Sequence, residues 1–262
     1  MPQQMIDRMA VHVDGDGDAV VLVHGLGGTS NVWTPLLPAL ARHRLVRPEL
    51  PGSGRSNKAH LLERGALTLE VLVAAVLRVC SALRIERAWF AGHSLGTIVL
   101  QHLAVREPAL VRGLALFGAL AAPPDSARKG LRERADRARG EGMANITDAV
   151  VQATLSPSTR ETQGVAVAAV RESLMGQCPD GYARTCLALA GVEAADLTQI
   201  QAPTLLVTGD DDPIAPAQGL RAMAAKIPHA RVEILPRCGH WTTYERPAEC
   251  AGLLKDFLSR GR

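Results

Sequence analysis

At 262 residues and 47% hydrophobic composition, the chain is long enough to bury a sizeable core and matches the size of a single α/β unit. A formal net charge of +3 leaves no electrostatic footprint for nucleic acid, and no run of eighteen apolar residues is present to span a bilayer. Met1-Pro2-Gln3-Gln4-Met5-Ile6-Asp7-Arg8 lacks the basic-then-apolar pattern of a secretory signal, so a soluble cytoplasmic protein is expected.

Taken in chain order, Ala19–Val23 (AVVLV) is a continuous apolar run ending at His24-Gly25, the pattern of a strand buried on both faces. Residues 31–41 read as a helix, 44–48 as a short strand, and 68–83 as an amphipathic helix with Thr68 as its cap. A buried strand at 88–91, a helix at 95–105 and a strand at 112–117 follow. From about residue 122 to 198 the rhythm breaks. This stretch is rich in Ala, Arg and Glu, has no convincing strand, and starts after Pro123-Pro124. The alternation resumes with a strand at 204–208, a helix at 217–227, a strand at 231–235 and a final helix at 247–259, where Pro247 suits the first turn.

Strands alternating with helices imply a mostly parallel sheet covered by helices on both faces. The expected organisation is a core of residues 1–121 and 199–262 interrupted by a helical cap at 122–198. Insertions at the carboxyl ends of parallel strands lie where such sheets bind ligands, which makes this one a candidate lid. The five cysteines (80, 178, 186, 238 and 250) are odd in number and form no Cys-x-x-Cys pair, against a disulfide framework or a closed zinc site. Cys80 and Cys250 sit among apolar residues as small core side chains, and Cys238, two residues before His240, is read as structural.

Gly92-His93-Ser94-Leu95-Gly96 fits G-x-S-x-G between an apolar strand and a helix pattern. A sharp strand-to-helix turn thrusts the serine into strained geometry, and glycines two residues either side remove side chains that would clash. A serine at its free pKa needs an oriented base, and in this arrangement the partners follow in the order serine, acid, histidine. His12, His43, His60, His102 and His229 fall in ordinary settings, His24 belongs to another motif and His93 is the variable position of the elbow. His240, in Cys238-Gly239-His240-Trp241 after the last strand, is left as the base. Asp210, Asp211 and Asp212 together follow a buried strand, and three adjacent carboxylates repel one another unless they have separate tasks. The residues alone do not choose among them. His24-Gly25-Leu26-Gly27-Gly28 follows the first long strand; it lacks a P-loop lysine and the dinucleotide spacing. Its expected role is an oxyanion loop, with the backbone N–H of Leu26 and that of Leu95 as donors.

Over nearly its full length the sequence resembles the α/β-hydrolase superfamily. The matching residues are His24-Gly25, Leu50-Pro51-Gly52-Ser53-Gly54-Arg55-Ser56, Gly92 to Gly96, Gly209 to Pro216 and Gly239-His240. The common acid motif of that superfamily, Gly-x-x-Asp-x-x-x-Pro, laid on Gly209 and Pro216, implies Asp212 as the acid. Glu49 stands where the loop usually carries Asp, a structural variation outside the triad. The insertion is similar to that of the 3-oxoadipate enol-lactonases at residues 141–150 and 179–184. The elbow and oxyanion loop read Gly-His-Ser-Leu-Gly-Thr and His-Gly-Leu-Gly-Gly, where those lactonases commonly carry Gly-Leu-Ser-Met-Gly-Gly and Asn-Ser-Leu-Gly-Thr.

The chemistry implied is cofactor-free, metal-free hydrolysis of a small-molecule ester or lactone through an acyl-enzyme. Trp33 and Trp241 are the expected pocket residues. Six basic residues between Arg128 and Arg139 stand against Glu133 and Asp136; they form either a solvated helix face or an attraction for a carboxylate-bearing substrate. A carbon–carbon bond hydrolase of ring-cleavage products, a haloperoxidase-like perhydrolase and a non-catalytic small-molecule receptor are the alternatives. The receptor usually has a triad member missing, and none is missing here.

Overall fold

The computed structural model describes residues 3–57 and 66–259, so His60 lies outside the described residues. The strands are β1 (Gln3–Ile6), β2 (Met9–Asp14), β3 (Ala19–Val23), β4 (Arg44–Pro48), β5 (Ala88–His93), β6 (Val111–Phe117), β7 (Thr204–Gly209) and β8 (Ala230–Leu235). They form one eight-stranded sheet in the order β1-β2-β4-β3-β5-β6-β7-β8. The β1–β2 and β2–β4 pairs are antiparallel, and all other pairs are parallel.

Sequence patterning accounts for the central strands. In β3 and β5 both faces are apolar. Val21, Val23 and Phe90 join the core on one side, whereas Val20, Leu22, Trp89 and Ala91 join the core on the other. Helices cover both faces. They include α1 (Leu69–Ala82) and α2 (Leu95–Arg106) early in the chain, and α8 (Ala217–Ala224), α9 (Thr242–Glu245) and α10 (Pro247–Ser259) late in it. Thr68 caps α1 by accepting the Val71 N–H at 3.4 Å. Between β6 and β7 the chain forms five α-helices, α3 (Asp125–Glu141), α4 (Ala144–Thr154), α5 (Pro157–Thr162), α6 (Gly164–Met175) and α7 (Pro179–Ala190), and a short 3-10 helix at Leu197–Gln199. No described helix is long and apolar enough to cross a membrane.

Two differences from the sequence reading have local causes. The N-terminal hairpin β1–β2 turns at Asp7 and Arg8, both with positive φ (47° and 62°). This is the backbone of a two-residue hairpin turn without the Asn-Gly or Asp-Gly pair that usually signals one. The segment Ser30–Leu40 is a 3-10 helix with Pro35 and Pro38 inside it. Each proline lacks an N–H, so the regular α-helical ladder expected over 31–41 is interrupted.

Chain direction places the site. From β3 the chain moves to one side to form β4, then returns to place β5 on the other side of β3. The crevice at the carboxyl ends of β3 and β5 is thus a topological switch point, where open α/β sheets bind ligands. The loop 24–28 leaves β3 and Ser94 leaves β5 at this crevice.

Candidate active site

Ser94 sits between β5 and α2 at φ 51°, ψ −118°, a strained conformation for a residue with a side chain. Tight packing holds it there. A Cβ on Gly96 would lie 2.3 Å from the Val23 carbonyl oxygen, so only glycine lets α2 approach β3 this closely. The Ser94 N–H donates to the Phe117 carbonyl at 2.9 Å, tying the turn to the end of β6.

Three side chains meet at this turn. The Ser94 hydroxyl lies 2.8 Å from Nε2 of His240, and Nδ1 of His240 lies 2.8 Å from Oδ2 of Asp212. All three are buried, at 9%, 6% and 4% exposure. The other Asp212 oxygen, Oδ1, accepts the N–H groups of Ile214 (2.8 Å) and Ala215 (2.9 Å). Burial acts to raise the Asp212 pKa, but the histidine and the two backbone donors outweigh it and hold the carboxyl at about 2. The three adjacent aspartates are thereby separated. Asp210 accepts the Cys238 N–H at 3.1 Å, Asp211 is exposed, and only Asp212 faces the imidazole.

Two further histidines are structural neighbours. His24 is fully buried; its Nδ1 donates to the Gly25 carbonyl (2.8 Å) and its Nε2 accepts the Leu50 N–H (2.9 Å). These bonds fix a neutral tautomer, consistent with burial lowering its pKa. Glu49, also buried, accepts from Ser30 Oγ at 3.0 Å and from the Arg55 N–H at 2.7 Å. His93 donates from Nε2 to the carbonyl of His240 at 2.8 Å. Burial and the neighbouring His240 push its pKa down to about 3, so it is neutral.

His240 is also held from the helices between β6 and β7. The His240 N–H donates to the Thr154 carbonyl at 2.8 Å, and Trp241 Nε1 reaches the Thr154 hydroxyl at 3.1 Å. Buried Glu245 accepts the N–H groups of Ser156 (2.9 Å), Gly239 (2.9 Å) and Trp241 (3.1 Å). Neither His93 nor Glu245 stood out in the sequence. One occupies the variable position of its motif, and the other binds only backbone groups, which no residue pattern advertises.

The loop 24–28 abuts the serine: a Cβ on Gly25 would lie 2.8 Å from Ser94 Cβ. The Leu26 N–H donates to no acceptor among the described residues, and the Leu95 N–H lies in the first turn of α2, where no intrahelical acceptor exists. A cavity of about 270 Å³ opens onto Ser94 and His240. It is walled by Leu26, Leu120, Leu131, Val150, Leu174 and Ile214, with His93, Arg134, Tyr182 and Trp241 among the polar or amphipathic lining. Trp33 does not line it. Its side chain is fully buried beneath the sheet's helical layer, edge-on to Phe117 with ring centroids 5.9 Å apart, which corrects the expectation that it faces the pocket.

Comparison with known proteins agrees with this architecture. A family profile described as the alpha/beta hydrolase fold matches residues 18–247. The chain is 27% identical to the 2-hydroxy-6-oxo-2,4-heptadienoate hydrolase of Pseudomonas putida, covering 95% of this chain and 92% of that one. It is 30% identical to the pyrrolizixenacetamide deacetylase of Xenorhabdus hominickii, covering 94% and 92% of the two chains. The enol-lactonase of Burkholderia xenovorans LB400 superposes with a TM-score of 0.90 at 28% identity, covering 98% of this chain and 100% of the lactonase. The chain belongs to the α/β-hydrolase family and is an enzyme of that family.

Proposed function

We propose that this enzyme is a serine hydrolase that cleaves a small carboxylic ester or lactone through an acyl-enzyme. The observation that carries the reading is the continuous chain Ser94 Oγ–His240 Nε2, His240 Nδ1–Asp212 Oδ2, with 2.8 Å at both links. His240 takes the hydroxyl proton as Ser94 attacks the carbonyl, and ionised Asp212 fixes the imidazole tautomer and stabilises the imidazolium. The backbone N–H groups of Leu26 and Leu95 receive the oxyanion, donors typically worth about 3–4 kcal/mol each. Collapse expels the alcohol, or opens the ring of a lactone, with the proton returned by His240. Water activated by the same histidine then attacks the acyl-enzyme and frees the acid and the serine. The helices at 122–198 act as the lid of this site.

Ser94→Ala and His240→Ala should each lower kcat on an activated ester by about 10⁴–10⁶-fold while circular dichroism stays native. Near wild-type turnover by the serine variant would overturn the assignment. Similarity to the heptadienoate hydrolase favours a second reading, hydrolysis of a carbon–carbon bond in a ring-cleavage product by the same triad. A screen of lactones, simple esters and vinylogous diketones separates the two.

A further inference from the structure

The basic residues of α3 do not share one fate. Arg128 pairs with Asp125 and Glu193, Lys129 with Glu133, Arg137 with Glu141, and Arg139 with Asp180. Arg132 and Arg134 form no ion pair among the described residues, but Arg132 is exposed whereas Arg134 is half-buried and lines the cavity over Ser94. Ala127, Gly130, Leu131 and Arg134 follow one another at helical spacings of three and four, and this stripe of α3 is the one that lines the cavity over Ser94. Arg134 is therefore the one charged residue on the cavity-facing stripe of α3, whose other members, Ala127, Gly130 and Leu131, carry no polar side-chain group.

Its surroundings are suited to an anion. The described cavity lining contains no carboxylate and no other Arg or Lys. His93 is neutral, as noted above. The guanidinium interacts with the phenol of Tyr182 on α7, a contact that restrains it without neutralising it. A partly desolvated cation without a counter-ion gains strongly from a carboxylate, and the planar guanidinium fork accepts one in bidentate geometry. The volume of about 270 Å³ limits the occupant to a small molecule.

We propose that Arg134 anchors a carboxylate on the substrate, so that the site takes a small ester, lactone or related acyl compound whose non-reacting end is an anionic acid. The inference rests on the cavity being the substrate site of Ser94. Two matched pairs of substrates test it: 4-nitrophenyl hydrogen glutarate against 4-nitrophenyl pentanoate, for a charge on the acyl side, and 3-acetoxybenzoate against phenyl acetate, for a charge on the alcohol side. The readout is the anionic-to-neutral ratio of kcat/KM in the wild type, Arg134→Gln and Arg134→Lys. The ratio for at least one pair should fall about 10- to 100-fold in Arg134→Gln, mainly through KM, and less in Arg134→Lys, which keeps the charge but loses the fork. A purely structural role would lower both members of a pair and leave the ratios unmoved, and that result overturns the proposal. Calorimetric titration with glutarate decides the point independently of turnover. Binding at least about tenfold tighter to the wild type than to Arg134→Gln supports the anchor, and equal binding overturns it. Failure of the wild type to turn over any of the four esters would count against the Ser94 reading instead.

Discussion

Asp212 is a buried carboxylate that stays ionised, and its ionisation is linked to folding. Its pKa is held at about 2 in the folded protein against an ordinary 3.8, the cost of burial being outweighed by His240 and the Ala215 and Ile214 N–H groups. A carboxylate depressed in the native state takes up its proton more readily when unfolded. Its contribution to stability is thus complete above the ordinary value and is lost as pH falls through the folded one. The melting-temperature advantage of the wild type over Asp212→Asn should accordingly be steady from neutral pH down to about pH 4 and shrink between about pH 4 and pH 2. A difference that does not change across this window contradicts the linkage. At the same scale, His93 shows why a motif reading is incomplete. The x of G-x-S-x-G is free to vary as far as the turn is concerned, yet here it carries a hydrogen bond to the backbone of His240.

Between elements, Glu245 joins three segments that have no contiguous sequence signature: the start of α5, the loop before His240 and the start of α9. Its carboxylate is the acceptor for three buried N–H groups, and removing it leaves all three unpaired. Glu245→Ala is expected to lower unfolding stability by about 3–5 kcal/mol in urea titrations, with a smaller loss in Glu245→Gln, which keeps one acceptor oxygen. A loss below about 1 kcal/mol for Glu245→Ala would show that the three segments are held by something else. What was legible in the sequence follows from the same physics. β3, β5 and β7 are apolar on both faces and read directly as buried strands, and the glycines at 92 and 96 mark the turn between β5 and α2. The β1–β2 hairpin was not legible because Asp7-Arg8 does not look like a turn that needs positive φ. Trp33 was misread because closeness in sequence to the loop 24–28 does not fix which way a side chain points. The inward turn of Arg134 was hidden in a helix whose composition is charged nearly throughout.

For the molecule as a whole, reversal of strand order, with β4 and β5 on opposite sides of β3, brings the loop 24–28 and Ser94 to one crevice, while β7 and β8 deliver Asp212 and His240 to the same edge. The helices between β6 and β7 close over that edge, where Thr154 accepts the His240 N–H and the Ser156 N–H donates to Glu245. Four of the five cysteines are buried, with burial pushing the thiols of Cys80, Cys186 and Cys250 up to about 12, so Ser94 is not in competition with a thiolate at those positions. The central claim is that this assembly makes one serine nucleophilic. Intact-mass spectrometry after treatment with a fluorophosphonate, followed by peptide mapping, tests it most directly. The account predicts a single adduct on the peptide containing Ser94, absent in Ser94→Ala and formed far more slowly in His240→Ala. An unmodified wild-type protein, or an adduct mapped to another residue, would contradict it.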